Sequence, residues 1–315
     1  MNNDLIIPTN IKPKIFLFGA CDLYQAVIID TIRKEYKIDC IPDTLKSPDS
    51  LDLSTCLKPK FSTSIRSLYT QPNEIANRAY DTLRQAPDLK YYHYELYREI
   101  VKFPYLEYYK KEAGPDDILI MNLSSELYTK ASIKSELFTI TPMPGIGLSD
   151  PSDYLHWLYS EYLTKNTYQV PFDEEESLNI TYDLLQDFAK SIYNIFQNRV
   201  ILVKTHITNL MISTDLSVKK IDVPVEGNIP FYKPSKIMKH PLDHTYAQRA
   251  TNLLLNKFHK WYKSDIPIVD LKDPVFMDPN HQYGPAPFHL DKISNYKIGL
   301  NIYAELKKFK IIKGN

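Results

Sequence analysis

Apolar positions along the chain change period several times, and each change marks a predicted element. Residues 14–20, Lys-Ile-Phe-Leu-Phe-Gly-Ala, are a short continuous apolar run that ends in small residues. Such runs suit strands buried on both faces of a parallel sheet. From Asp22 to Tyr36 the apolar residues Leu23, Val27, Ile28 and Ile32 recur at helical spacing. Strand, tight turn and helix form the opening unit of a doubly wound fold.

Three later runs read as further strands. Asp117-Ile118-Leu119-Ile120-Met121 follows the turn signal Gly114-Pro115-Asp116, and Val200–Val203 follows a helical pattern from Leu178 to Phe196. Ile266–Asp270 follows an amphipathic stretch from Thr245 to Tyr262, and Pro267 marks it as a strand start or an edge. A last helix is expected over Ser294–Lys308. This alternation predicts an α/β protein: three α/β/α layers around a doubly wound, mostly parallel sheet. A single domain over residues 1–315 is expected, with insertions at about 61–112 and 130–195. The first reads as mostly helical, the second as a Pro-containing loop followed by helix. No internal repeat or low-complexity linker interrupts the chain.

Composition narrows the function classes. With 43% of 315 residues hydrophobic, the chain can bury a large core. Lys plus Arg and Asp plus Glu both number 38, so no basic excess points to nucleic acid. The three cysteines, Cys21, Cys40 and Cys56, form neither a disulfide framework nor a zinc pattern. The N-terminal segment lacks the layout of a secretory signal, and no apolar run approaches the ~20 residues of a membrane helix. A soluble, cytoplasmic protein without membrane insertion is expected.

Tyrosine is abundant, 24 residues against 13 Phe. Surplus Tyr suits polar clefts, and an AT-rich genome gives the same bias. Residues 91–111 are the most aromatic stretch; they would either roof a cleft as a helix broken at Pro104 or pack their Tyr rings inward. Asp173-Glu174-Glu175-Glu176 reads as a solvated helix start.

The candidate chemistry begins where the first strand ends. In doubly wound sheets ligands bind outside the carboxyl ends of the strands, and Cys21 lies just beyond such an end. A thiol there is a candidate nucleophile, and backbone N–H groups of Cys21 and Asp22 are candidate oxyanion donors. The bland alternative is a small buried residue. Asp22 opposes a thiolate, so a base is required. Asp278-Pro279-Asn280-His281 supplies one: the carboxylate three residues before the histidine can fix its tautomer.

Gly19-Ala20-Cys21 at the start and Asp278-x-x-His281 near the end together resemble the SGNH (GDSL-type) hydrolase and acyltransferase superfamily. The likeness is closest to a bacterial branch tied to surface-polysaccharide gene clusters. Members of that branch open with Gly-Ser-Cys and close with His-x-x-Gly-x-Ala-Pro-Phe-His. Here the closing segment is His281-Gln282-Tyr283-Gly284-Pro285-Ala286-Pro287-Phe288-His289, and Ala20 stands where the branch has Ser.

The resemblance implies a triad of Cys21 as nucleophile, His281 as base and Asp278 as its orienter. It also implies that Asn122, after the strand 117–121, completes the oxyanion hole. The superfamily's Gly block has no counterpart, since Gly114 is the sole glycine between Gly19 and Asn122. Lys204, His206, Tyr283 and His289 are candidate substrate contacts, the first two for a phosphate or carboxylate; His289 could instead hold the shape of the Pro-containing loop. His240 and His244 flank Pro241 and read as capping residues, not a metal pair. No P-loop or G-x-G-x-x-G is present, and neither a cofactor nor a metal is expected.

Two functions remain open on these residues. One is O-acyl transfer or ester hydrolysis on a carbohydrate or surface-polysaccharide precursor, with a small-molecule acyl donor. The other is a non-catalytic glycan-binding or assembly protein that kept the fold.

Overall fold

A computed structural model describes residues 12–19, 21–39, 65–69, 105–124, 130–133, 139–140, 167–170, 175–213, 215–220, 244–280 and 289–313. Its centre is a parallel sheet of five strands: β1 (Lys14–Phe18), β2 (Lys37–Asp39), β3 (Ile118–Met121), β7 (Val200–Val203) and β10 (Ile268–Val269). In space the strands lie in the order β2-β1-β3-β7-β10. Phe16 pairs with Leu119 and Phe18 with Met121; Leu119 in turn faces Val200, and Leu202 faces Ile268.

Strand side chains alternate between faces, and both faces are buried. Phe16, Phe18, Leu119, Met121, Val200 and Leu202 enter one core. That core is covered by α3 (Ile65–Leu68), α4 (Tyr105–Glu112), α5 (Glu175–Phe196) and α6 (His244–Trp261). Ile15, Leu17, Ile118, Ile120, Ile201, Val203 and Val269 enter the other, under α1 (Cys21–Val27), α2 (Asp30–Glu35) and α7 (Lys292–Lys313). Helices on both faces explain why the inner strands read as unbroken apolar runs.

Aromatic contacts fix the first core. The Phe16 ring meets Tyr109 and Phe196 edge-on, at centroid distances of 5.6 and 5.7 Å. The buried Tyr109 hydroxyl donates to the Leu17 carbonyl at 2.9 Å. At the amino end of the sheet, the Asp117 carboxylate accepts from the backbone N–H of Lys14 at 2.7 Å and of Gly114 at 2.8 Å. Arg199 donates to the Gly114 carbonyl there at 2.8 Å.

Several elements differ from expectation. The helix expected over 22–36 is two helices, with Ile29 extended at φ −62° and ψ 145°. Val27, Ile28 and Ile29 are consecutive β-branched residues, which helices accommodate poorly. The 130–195 insertion contains strands before its helix: β4 (Lys130–Ile133) pairs antiparallel with β5 (Thr139–Ile140) and β6 (Thr167–Val170). These strands are short and partly polar, without a run that marks burial. The short strand β2 and the hairpin of β8 (Leu210–Ile212) and β9 (Val218–Lys220) were likewise unforeseen. The last helix extends to Lys292–Lys313, beyond the expected 294–308.

Within 61–112, the described residues include two helices, α3 and α4, and α4 begins immediately after Pro104. Tyr105 and Tyr109 pack into the core instead of roofing a cleft; residues 91–104 lie outside the described set. Glu175 and Glu176 open α5, as an acidic helix start should.

Candidate functional site at the carboxyl edge of the sheet

From β1 the chain runs to β2 on one side, whereas β3 lies on the other. The carboxyl ends of β1 and β3 therefore flank the position at which strand order reverses, the usual ligand crevice of such sheets. Gly19 and α1 enter this edge from β1; Asn122, Leu123 and Ser124 enter it from β3.

Gly19 has φ of 156° and lies against Asn122: a Cβ added there would be 2.1 Å from Asn122 Oδ1. Only glycine fits so close an approach. The Asn122 backbone N–H donates to the Phe18 carbonyl at 2.9 Å, which carries the β1–β3 ladder one residue past the strands.

A polar cluster fills the crevice. Asn122 Nδ2 donates to Asp22 Oδ2 at 2.9 Å. Ser124 Oγ lies 2.8 Å from Asn122 Oδ1 and 3.0 Å from Asp22 Oδ1. Asn122 and Ser124 are almost fully buried. Burial pushes the Asp22 carboxyl above its ordinary value of 3.8, outweighing the hydrogen bonds from Ser124, Leu23 and Asn122 that favour its anion. The expected oxyanion donor Asn122 thus lies at the expected edge, with its amide already joined to Asp22. Ser124 was not foreseen, although polar residues two apart just beyond a buried strand signal a shared face.

The stem of the closing loop is described as well. The Asp278 N–H donates to the His289 carbonyl at 2.8 Å, and the Asp291 N–H to the Phe276 carbonyl at 2.8 Å. Met277 bridges both Leu290 and Met211. The two ends of the segment 279–288 are therefore held side by side. Asp278 Oδ1 accepts the Asn280 N–H at 2.9 Å, an Asx turn. His289 is buried. His281 and Tyr283 lie outside the described residues, as do Cys40, Cys56, His240 and the side chain of Cys21.

Helix α7 connects that stem to α1. Asp291 caps it by accepting the Ser294 N–H at 2.7 Å. Asn295 Nδ2 donates to the Leu290 carbonyl at 2.9 Å and to Gln25 Oε1 at 3.0 Å. Further along, Gly299 meets Ala26 so closely that a Cβ would be 2.3 Å from the Ala26 carbonyl oxygen. Contacts thus advance in the same direction on both helices, Gln25 with Asn295 and Ala26 with Gly299. The helices are parallel, and their amino ends, Cys21 and Lys292, share one end of the fold. Sequence reading missed this pair; Gly299 inside a helical pattern was the available signal.

Farther along the edge, Lys204 follows β7 and Asp270 follows β10. Lys204 Nζ pairs with Asp270 Oδ2 at 2.8 Å, and Lys272 joins the same oxygen. His206 is buried, and the Leu271 N–H donates to its Nε2 at 3.1 Å. That bond assigns the ring proton to Nδ1 in a neutral imidazole, and burial pushes the ring's pKa below its ordinary value of 6.5. Both candidate anion contacts are thereby engaged with protein groups.

Among the described residues, no cluster of three His, Cys, Asp or Glu could hold a metal ion, and no helix is long and apolar enough to cross a membrane. No family model, curated protein or solved structure matches this chain.

Proposed function

We propose that the protein is an SGNH-like, flavodoxin-ordered acyl-ester enzyme of the cytoplasm. It would transfer or hydrolyse an O-acyl group on a carbohydrate or surface-polysaccharide precursor. The observation that carries this reading is the parallel docking of α7 on α1. It supports a common rim for the residue that starts α1, Cys21, and the loop stem that begins at Asp278.

In this mechanism His281, held in one tautomer by Asp278, takes the Cys21 proton as the thiolate attacks the acyl carbonyl. The Cys21 backbone N–H and the Asn122 amide receive the oxyanion, and the Asp22 N–H would join them only by leaving its own carboxyl. The imidazolium returns its proton to the leaving oxygen. Water or a sugar hydroxyl then gives up a proton to His281 and accepts the acyl group from sulfur. Tyr283 and His289 would lie beside the substrate. Lys204 and His206 would contribute only by exchanging their present partners.

A specific observation favours a non-catalytic glycan-binding role as the second reading. The Gly114 N–H is bound to Asp117 at the amino end of the sheet, so it supplies no donor to the carboxyl edge. Hydrolysis of p-nitrophenyl acetate separates the two. The enzyme gives a burst of nitrophenol, and His281→Ala slows turnover by ~10²–10⁴-fold, the usual cost of a lost general base. Equal rates in parent and variant on this ester and on acylated glycan donors, with retained glycan binding, would establish the binding protein.

A further inference from the structure

The three side-chain contacts of the polar cluster at the β1–β3 crevice have a proton count that one protonation state satisfies. Ser124 Oγ carries one hydrogen yet lies within bonding distance of two acceptors, Asn122 Oδ1 at 2.8 Å and Asp22 Oδ1 at 3.0 Å. Flipping the Asn122 amide does not help. Its Nδ2 would then oppose the Ser124 N–H, which points at Oδ1 from 3.4 Å, and its oxygen would oppose Asp22 Oδ2. With a proton on Asp22 Oδ1 the ring closes: Asp22 donates to Ser124, Ser124 to Asn122 Oδ1, and Asn122 Nδ2 to Asp22 Oδ2. Each of these three bonds then has one donor and one acceptor, as burial demands.

We propose that Asp22 is a positioning residue held as the neutral carboxylic acid, closing a hydrogen-bonded ring with Ser124 and Asn122 that fixes the Asn122 amide and keeps negative charge away from Cys21. The inference rests on the acyl-ester reading of Cys21 and removes its chief electrostatic objection, an anion adjacent to the nucleophile. The backbone amides of Leu23 and Asp22 favour the anion, and desolvation opposes them more strongly. No Lys, Arg or His forms an ion pair with Asp22 among the described residues. Lys204 and Lys272, farther along the edge, are paired with Asp270. The Cys21 thiol and His281 are the titratable groups that the mechanism brings to the same crevice.

Isotope-edited infrared spectroscopy of protein with ¹³C-labelled aspartate tests the protonation state directly. At neutral pH the parent should show a carboxylic-acid carbonyl band that disappears in Asp22→Asn; carboxylate bands alone would overturn the proposal. Should Asp22→Asn not fold, the pH dependence of that band in the parent decides the same point. The pH profile of Cys21 alkylation by iodoacetamide is the second readout. Asn can donate to Ser124 and accept from Asn122 as the neutral acid does, so Asp22→Asn should titrate Cys21 as the parent does. An ionised Asp22 would instead make the variant react roughly threefold or more faster near neutral pH, because an adjacent anion raises a thiol's pKa. An acid band with an inert Cys21 keeps the ring and overturns the acyl-ester reading; a reactive Cys21 without the band overturns the ring alone.

Discussion

Gly299→Ala isolates the helix contact on which the proposed site depends. Alanine exceeds glycine in helix propensity by about 1 kcal/mol, so an unconstrained position would gain stability. Here the new Cβ would sit 2.3 Å from the Ala26 carbonyl oxygen and 2.9 Å from Ile29 Cδ1. Ordinary contact is near 3.5 Å, so α1 and α7 must part by about 1 Å. A gap of that size forfeits roughly a quarter to a half of each dispersion well across the interface. Leu23, Ala26 and Val27 on α1 and Ile298 and Ile302 on α7 are all buried in the same core and share that loss. Overpacking of this kind costs about 1–3 kcal/mol, and against a backbone carbonyl the upper half of that range applies. The net expectation is a destabilisation of about 1–2 kcal/mol despite the better propensity. At about 2–4 °C per kcal/mol for larger domains, that lowers Tm by several degrees. Urea and thermal denaturation measure it, with Asn301→Ala, at an exposed position of the same helix, as the propensity control. A Gly299→Ala protein at least as stable as the parent would refute parallel, close-packed docking and with it the shared rim.

Brief iodoacetamide labelling followed by peptide mapping should modify Cys21 ahead of Cys40 and Cys56, whereas equal or slower labelling marks Cys21 as an ordinary core thiol. Tyr109→Phe should cost about 1–2 kcal/mol in chemical denaturation, since the buried Leu17 carbonyl loses its hydroxyl donor; an unchanged midpoint would show that the bond contributes nothing. For His206 the folded pKa lies below the unfolded 6.5, so the unfolded chain binds the proton more tightly and stability falls as pH drops through 6.5. His206→Gln should flatten that decline, and a parallel decline in both proteins contradicts the buried neutral ring. For Asp22 the sign reverses: the folded pKa is raised, so its contribution is complete below 3.8 and is lost as pH rises towards the folded value. Asp22→Asn should gain on the parent over that interval.

The inner strands were legible because burial on both faces leaves a continuous apolar signature. Lys14–Phe18, Ile118–Met121 and Val200–Val203 all carry it. Strand β2, with only Ile38 apolar among its three residues, carries no such signature, because one neighbour suffices to hold an edge. The break between α1 and α2 was hidden for a related reason. Leu23, Val27 and Ile32 keep helical spacing across it, and all face the same core on either side of the turn. Apolar period reports which face is buried and is blind to a turn that preserves that face.

The site divides along the same physical line. The edge location of Gly19, Cys21 and Asn122 follows from strand ends, which a linear pattern reveals. What joins them depends on contacts across about 100 or 270 positions, Asp22 with Asn122 and Ser124, and Gln25 with Asn295. In sequence, Asp22 reads as an unfavourable neighbour for a thiolate and Gly299 as a helix defect. Each looks like a cost when taken alone. Asp22 can lie in the crevice because Asn122 and Ser124 hydrogen-bond its carboxyl group. Gly299 removes a Cβ that would hold α7 away from α1. Local rules broken at Asp22 on α1 and at Gly299 packed against α1 are therefore the sequence's own pointer to the candidate site, visible once tertiary contact pairs each exception with its reason.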